Sequence, residues 1–329
     1  GGKVWPGWGQ ADIPMIAYNE EYAFLVGYPD PPDGWVKVPA GIQRGGMWEL
    51  VVGETFMGEL YYRQPLADVT PEAFTVKVGE EWVCSLATFE WMQISLTQSI
   101  RADLPSFLQP VFPYGLFIRQ LLSGDDQYIS LNAHECFHAF QGKLTAGKFA
   151  AAEDANIQYG SQYPWDDEAL QSDWQTELEL LADALRTTDQ ASSLEFVHRF
   201  LEVRATRRAS AGLSPALIAY EQKREWLEGL ARYAELETWR LASTTGYLPD
   251  SETKNLSSFD IYRGFDRRWA NELAQIPRMA NDEGDGRFYY SGMAQAYLLD
   301  RLSPDWKVTA FEEGNWLDDL LLAAVQDYK

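Results

Sequence analysis

Histidine is scarce in this chain, with three among 329 residues, and two of them stand four apart in Ser130-Leu-Asn-Ala-His-Glu-Cys-Phe-His-Ala-Phe-Gln141. On an α-helix, residues four apart lie one above the other on the same face. His134 and His138 can therefore point at a single ion, and Glu135 sits one step round, beside a water bound to that ion. The spacing H-E-x-x-H supplies two metal ligands and a general base from about a turn and a half of helix. The flanking Leu131, Ala133, Phe137, Ala139 and Phe140 predict that this helix is buried. Imidazoles left without partners in such surroundings would be costly, which argues for a bound ion, with Zn2+ the one expected.

Composition narrows the setting. The chain is long enough to bury a large core, as one large domain or two intimate ones, and its 46% hydrophobic and 14% aromatic content belongs to a folded globular protein. A formal net charge of −22 argues against nucleic acid and anionic membrane surfaces as partners. No apolar run reaches transmembrane length. The opening Gly1-Gly2 reads as a trimmed or tagged start, which leaves room for an export signal removed before this numbering. An acidic, tryptophan-rich, cysteine-poor chain suits a secreted or bacterial cell-envelope setting better than the cytoplasm. The two cysteines, Cys84 and Cys136, make no disulfide framework, and Cys136 reads as a core thiol on the side of the helix away from the histidines.

Hydrophobic periodicity divides the chain into a strand-rich N-terminal part, 1–125, and a mainly helical part, 126–329, an α+β architecture. Strands are expected at Ile13–Tyr18, Ala23–Gly27, Trp35–Val38, Met47–Val52, Glu59–Tyr62 and Phe74–Val78, around the turn-rich Gly27-Tyr-Pro-Asp-Pro-Pro-Asp-Gly34. A helix is predicted over Val83–Ile100, a short apolar segment at Leu116–Leu122, then the histidine helix. Later helices are expected at Asp167–Thr188, Ser193–Ala209, Pro215–Ser243, Phe259–Met279, Tyr289–Leu302 and Asn315–Tyr328. The basic cluster Arg204, Arg207 and Arg208 reads as a solvated helix end.

Catalytic zinc takes three protein ligands and keeps one position open. The third histidine, His198, lies beside an apolar stripe and reads as structural, so a carboxylate is expected, from one of two segments. Trp174-Gln-Thr-Glu-Leu-Glu-Leu-Leu-Ala-Asp183 offers Glu177 or Glu179, with Asp183 behind, yet reads better as an amphipathic helix with a solvated acidic face. Trp226-Leu-Glu-Gly-Leu-Ala-Arg-Tyr-Ala-Glu235 offers Glu228 beside Gly229. A glycine inside a helix costs about 1 kcal/mol relative to alanine, so it implies close approach to another helix.

Trp226-Leu-Glu-Gly-Leu-Ala-Arg-Tyr233 resembles the third-ligand helix of the gluzincin peptidases, especially the aminopeptidase-N-like branch, in which W-L-x-E-G-[FL]-A-x-Y follows the H-E-x-x-H helix. Phe288-Tyr-Tyr-Ser-Gly-Met-Ala-Gln-Ala-Tyr-Leu-Leu-Asp300 resembles the same family's tyrosine segment. The resemblance implies a zincin-like catalytic part with His134, His138 and Glu228 as zinc ligands and Glu135 as base. It also implies Tyr289, or its neighbour Tyr290, as the donor to the tetrahedral intermediate. It covers three segments only. Eighty-nine residues separate His138 from Glu228, so the resemblance requires a helical insertion over about 145–213. Gly45-Gly-Met-Trp-Glu49 stands far upstream of where the aminopeptidases keep their amine-binding G-x-M-E-N, leaving exopeptidase and endopeptidase both open.

The expected function is zinc-dependent hydrolysis of a peptide or protein substrate, with Gln141 a candidate to steady the metal helix from the same face. A non-peptide zinc hydrolase and an inactive peptidase-like binding protein are the alternatives, the second disfavoured by the intact Glu135.

Overall fold

A computed structural model describes the chain except for residues 40, 67–75, 111, 116–117, 119–121, 123, 245, 283 and 328–329. It is an α+β protein in which a strand-rich N-terminal sheet is followed by a mostly helical region. Two compact units can be separated, one comprising 8–143 with 238–263, the other 1–7, 144–237 and 264–329. The division at 143/144 differs from the sequence-based boundary at 125/126 and keeps the histidine helix with the sheet.

Among the described residues the sheet unit contains eight strands: β1 (Met15–Tyr18), β2 (Tyr22–Val26), β3 (Trp35–Lys37), β4 (Gln43–Arg44), β5 (Glu49–Leu50), β6 (Tyr61–Pro65), β7 (Val76–Val78) and β8 (Glu81–Ala87). Their order is β4-β3-β7-β8-β1-β2-β6-β5. All neighbours pair antiparallel except β1 and β8, which run parallel with Met15 opposite Cys84. β1 and β2 alternate buried and half-buried residues, as strands with one face on a core do. Ile16, Tyr18, Ala23, Leu25, Trp35, Trp48, Val76, Val78 and Val83 form that core. The turn-rich stretch beginning at Gly27 does connect two strands, β2 and β3, and Gly34 ends it at φ +67°, where a side chain would meet the backbone of Arg44.

The longest strand corrects the sequence reading. The helix expected from Val83 begins only at α1 (Phe89–Asp103), where the side chain of Thr88 caps the amide of Trp91 at 3.3 Å. Residues 81–87 are β8 instead. Every residue from Trp82 to Leu86 is buried, because β8 sits mid-sheet between β7 and β1 with a helix packed against it. Burial on both faces erases the alternation that marks a strand and leaves an apolar run that mimics a helix. Most of Leu116–Leu122, and Phe74 and Thr75 of the last expected strand, lie outside the described residues.

The packed helix is α2 (Asp125–Leu144), which carries the histidines and runs antiparallel to β8. The Tyr128 hydroxyl donates to Ala87 O at 2.8 Å, Cys136 meets Cys84, and Gly142 lies against the Trp82 indole with no room for a Cβ. Lys143 Nζ closes the ladder on Glu81 at 3.2 Å. Phe137 packs edge-on against Trp8, centroids 5.2 Å apart. At its start, Asp125 accepts from the Ser258 amide at 2.9 Å and Asp126 from the Asp260 and Tyr262 amides at 2.6 and 2.5 Å.

The helical unit is built from α3 (Ala146–Tyr159), α4 (Glu168–Arg186), α5 (Gln190–Ser210), α6 (Pro215–Arg224), a π-helical turn at Glu225–Gly229, α7 (Leu230–Thr244, whose end from Thr238 belongs to the sheet unit), and later helices. Those include α8 (Ser251–Lys254, also in the sheet unit), α9 (Phe265–Gln275), α10 (Gly286–Leu302), α11 (Trp306–Thr309) and α12 (Leu317–Asp327). Leu170, Trp174, Leu178, Leu181 and Leu185 on α4 are all buried, the single stripe their spacing predicts.

Arg204, Arg207 and Arg208 are not a solvated helix end. Arg204 and Arg207 are buried at 2% and 0% exposure, among the carboxylates of Glu177, Glu221, Glu225 and Asp318. Glu177, expected on a solvated face, is equally buried. Arginine triplets look alike in sequence whether they face water or facing acids, and the acids here come from four other elements.

Candidate metal centre

His134 and His138 are both buried on α2, and their Nε2 atoms converge to 3.1 Å. Two nitrogens each about 2.1 Å from a tetrahedral ion stand about 3.4 Å apart, so the pair is already near ligating geometry. Gln141 Oε1 lies 2.9 Å from His138 Nδ1. A carbonyl oxygen at Nδ1 favours the tautomer in which Nε2 presents its lone pair. The placement comes from one helical turn, Gln141 being three residues after His138 on the same face. Glu135, one step round the helix, is buried at 9% exposure.

Glu228 belongs to the π-helical turn Glu225–Gly229, a form that inserts one residue into a helix and re-aims its side chains. Its Oε1 accepts from Arg224 Nη2 at 2.7 Å, four residues earlier, while the same nitrogen donates to Asp285 at 2.6 Å. Tyr289 hydrogen-bonds the Glu228 carboxylate, and burial, then the Glu228 charge, hold its phenol well above the usual range. Tyr290 faces a different group of charges. It lies under the Arg232 guanidinium, 5.7 Å from ring centre, and hydrogen-bonds Glu272 and Arg232.

Gly229 is explained by the helix that carries these tyrosines. A Cβ at Gly229 would run into the backbone of Gly292 and Met293 on α10, and one at Gly292 into the backbone of Glu225. The close approach inferred from the glycine is present, and it seats the glutamate turn against the tyrosine helix. Gly229→Ala is expected to lower the unfolding free energy by about 1–3 kcal/mol, overpacking outweighing the better helix propensity. Urea denaturation checks it, and an equally or more stable variant would mean the crossing is looser than its backbone contacts require.

One ligand atom each from His134, His138 and Glu228 lies within 4.8 Å of the others, and all three side chains are buried. Two imidazoles and a carboxylate are a donor set that suits zinc with one position left open. The competing carboxylates are otherwise engaged. Glu179 is exposed and accepts from Gln175 at 2.7 Å, Asp183 pairs with Arg186 at 3.0 Å, and Glu177 serves Arg204 and Arg207. His198 is half-buried on α5, outside the cluster.

Two features escaped sequence reasoning. Arg224 as the clamp on Glu228 was legible only as an i,i+4 pair, one among many. Cys84 and Cys136, 52 positions apart, bring their sulfurs to 2.9 Å. The bond to Cys136 and burial push the Cys84 thiol well above its ordinary value. Comparison of the chain with protein-family models, curated proteins and solved structures gives no match.

Proposed function

We propose that the protein is a zinc-dependent metallopeptidase, with His134, His138 and Glu228 as ligands and Glu135 as general base. The observation that carries this reading is the convergence of the two Nε2 atoms at 3.1 Å on the helix that also bears Glu135. The gluzincin-like order of H-E-x-x-H, glutamate and tyrosine segments supports it.

When bound, the ion would polarise a scissile carbonyl and lower the pKa of water toward about 7. Glu135 takes the proton of the attacking water and hands it to the leaving amine. Tyr289, rather than Tyr290, turns its one hydroxyl proton from Glu228 to the carbonyl oxygen as that oxygen gains charge, a contribution of about 3 kcal/mol for a well-placed donor. Gln141 holds the His138 ring in its ligating tautomer, and Arg224 holds one oxygen of Glu228 so that the other can bind. The substrate class is a peptide or protein.

Metal analysis of the purified chain tests the assignment. The wild type is expected to hold about one zinc per chain. Glu228→Ala should lose it, and Glu179→Ala should keep it. Absence of stoichiometric zinc after supplementation, or loss confined to Glu179→Ala, would overturn the ligand set.

A further inference from the structure

We propose that Cys84 and Cys136 form a redox-active pair that closes into a reversible disulfide, tying the histidine helix to the centre of the sheet. Their sulfurs stand 2.9 Å apart, and a disulfide needs about 2.05 Å, so closure requires an approach of about 0.9 Å. Both residues sit on regular elements held in place independently of the sulfurs. β8 is paired on both sides, to β7 and β1, and α2 is fastened to the same strand through Tyr128, Gly142 and Lys143. The juxtaposition is thus imposed by the helix–strand packing. The chain has no third cysteine, so nothing within it competes for either partner.

Accessibility sets the order of events. Cys84 is buried and Cys136 half-buried, so a low-molecular-weight disulfide meets Cys136 first. The Cys136 sulfur, having given up its proton, attacks one sulfur of the reagent. A mixed disulfide forms and one reagent thiolate leaves. Cys84 then gives up its proton and attacks the Cys136 sulfur, releasing the second reagent thiol and leaving the internal bond. Two protein thiols are oxidised and one reagent disulfide is reduced to two thiols. The bond would anchor the turn between His134 and His138 on the side away from the ring nitrogens, whether or not a metal is bound.

The test uses the whole chain in glutathione buffers running from fully reduced to fully oxidised, quenched with N-ethylmaleimide and read by intact mass and peptide mapping. The expected result is a passage from two alkylated thiols to none, with no glutathione retained, a Cys84–Cys136 cross-linked peptide, and reversal by dithiothreitol. Cys84→Ser should instead keep glutathione on Cys136, having no thiol to expel it. Two alkylated thiols in the most oxidising buffer, or glutathione persisting on Cys136 of the wild type, would overturn the proposal. The wild-type masses decide the matter even if the variant does not fold.

Discussion

Under the proposed zinc-peptidase mechanism, Glu135→Gln is expected to bind zinc as the wild type does and to lose about 10²- to 10⁴-fold in kcat/KM on a peptide substrate, the usual contribution of a general base. Glutamine matches glutamate in size and fits the same buried position on α2, so the helix and the ligand geometry should survive. What disappears is the capacity to accept a proton. The outcome separates Glu135 from the ligands, whose loss should remove metal and activity together. A peptide-library cleavage screen on metal-loaded wild type and variant, with zinc counted on both, reads the two effects side by side. Turnover in Glu135→Gln near the wild-type rate would remove Glu135 from the chemistry. Loss of zinc in the variant would make it a positional rather than a catalytic group.

The histidine helix was legible in sequence because its information is local. His134, Glu135, His138 and the Gln141 partner of His138 all fall within eight residues, and helical periodicity alone places them. Gly229 was legible for a different reason: an unfavourable residue inside a helix asks for a neighbour, and Gly292 is that neighbour. The failures share one cause. β8 reads as helix in sequence because burial on both faces hides a period of two: Val83 faces the sheet core, and Trp82 and Cys84 face α2, which comes about forty residues later. Arg204, Arg207 and Arg208 were mistaken for a surface cluster because their partners are scattered over α4, α6, the π-helical turn and α12. The Cys84–Cys136 contact was invisible for the same reason. Residue types announce local geometry, whereas burial and charge pairing are properties of the assembled chain.

Arg207→Ala is expected to lower the unfolding free energy by about 3–5 kcal/mol, the cost of removing one partner from a buried ion pair. Arg207 is buried at 0% exposure, pairs with Glu177, and donates to Glu221 at 2.6 and 3.0 Å. It also stacks over Trp174, 4.1 Å from ring centre. Its loss leaves two carboxylates in the interior with less positive charge. Burial alone would raise the Glu221 carboxyl, but Arg207, then Arg208 and Arg204, hold it down at about 2, against 4.5 for an ordinary glutamate. A group depressed in this way contributes stability that is fully present above the unfolded value. That contribution is lost as pH falls from about 4.5 through about 2. The difference corresponds to about 3 kcal/mol, so wild-type stability should decline across that window. In Arg207→Ala the Glu221 value should rise, moving the onset of acid unfolding to higher pH. The consequence reaches Glu228, the proposed third ligand, because Arg204 ties the same network to Glu225 at 2.6 Å, and Glu225 begins the turn that carries Glu228. Urea titrations of both proteins between pH 7 and pH 2, with zinc affinity measured at pH 7, test the coupling. A loss below about 1 kcal/mol, within the range of an exposed pair, would show that the remaining arginines satisfy the acids unaided.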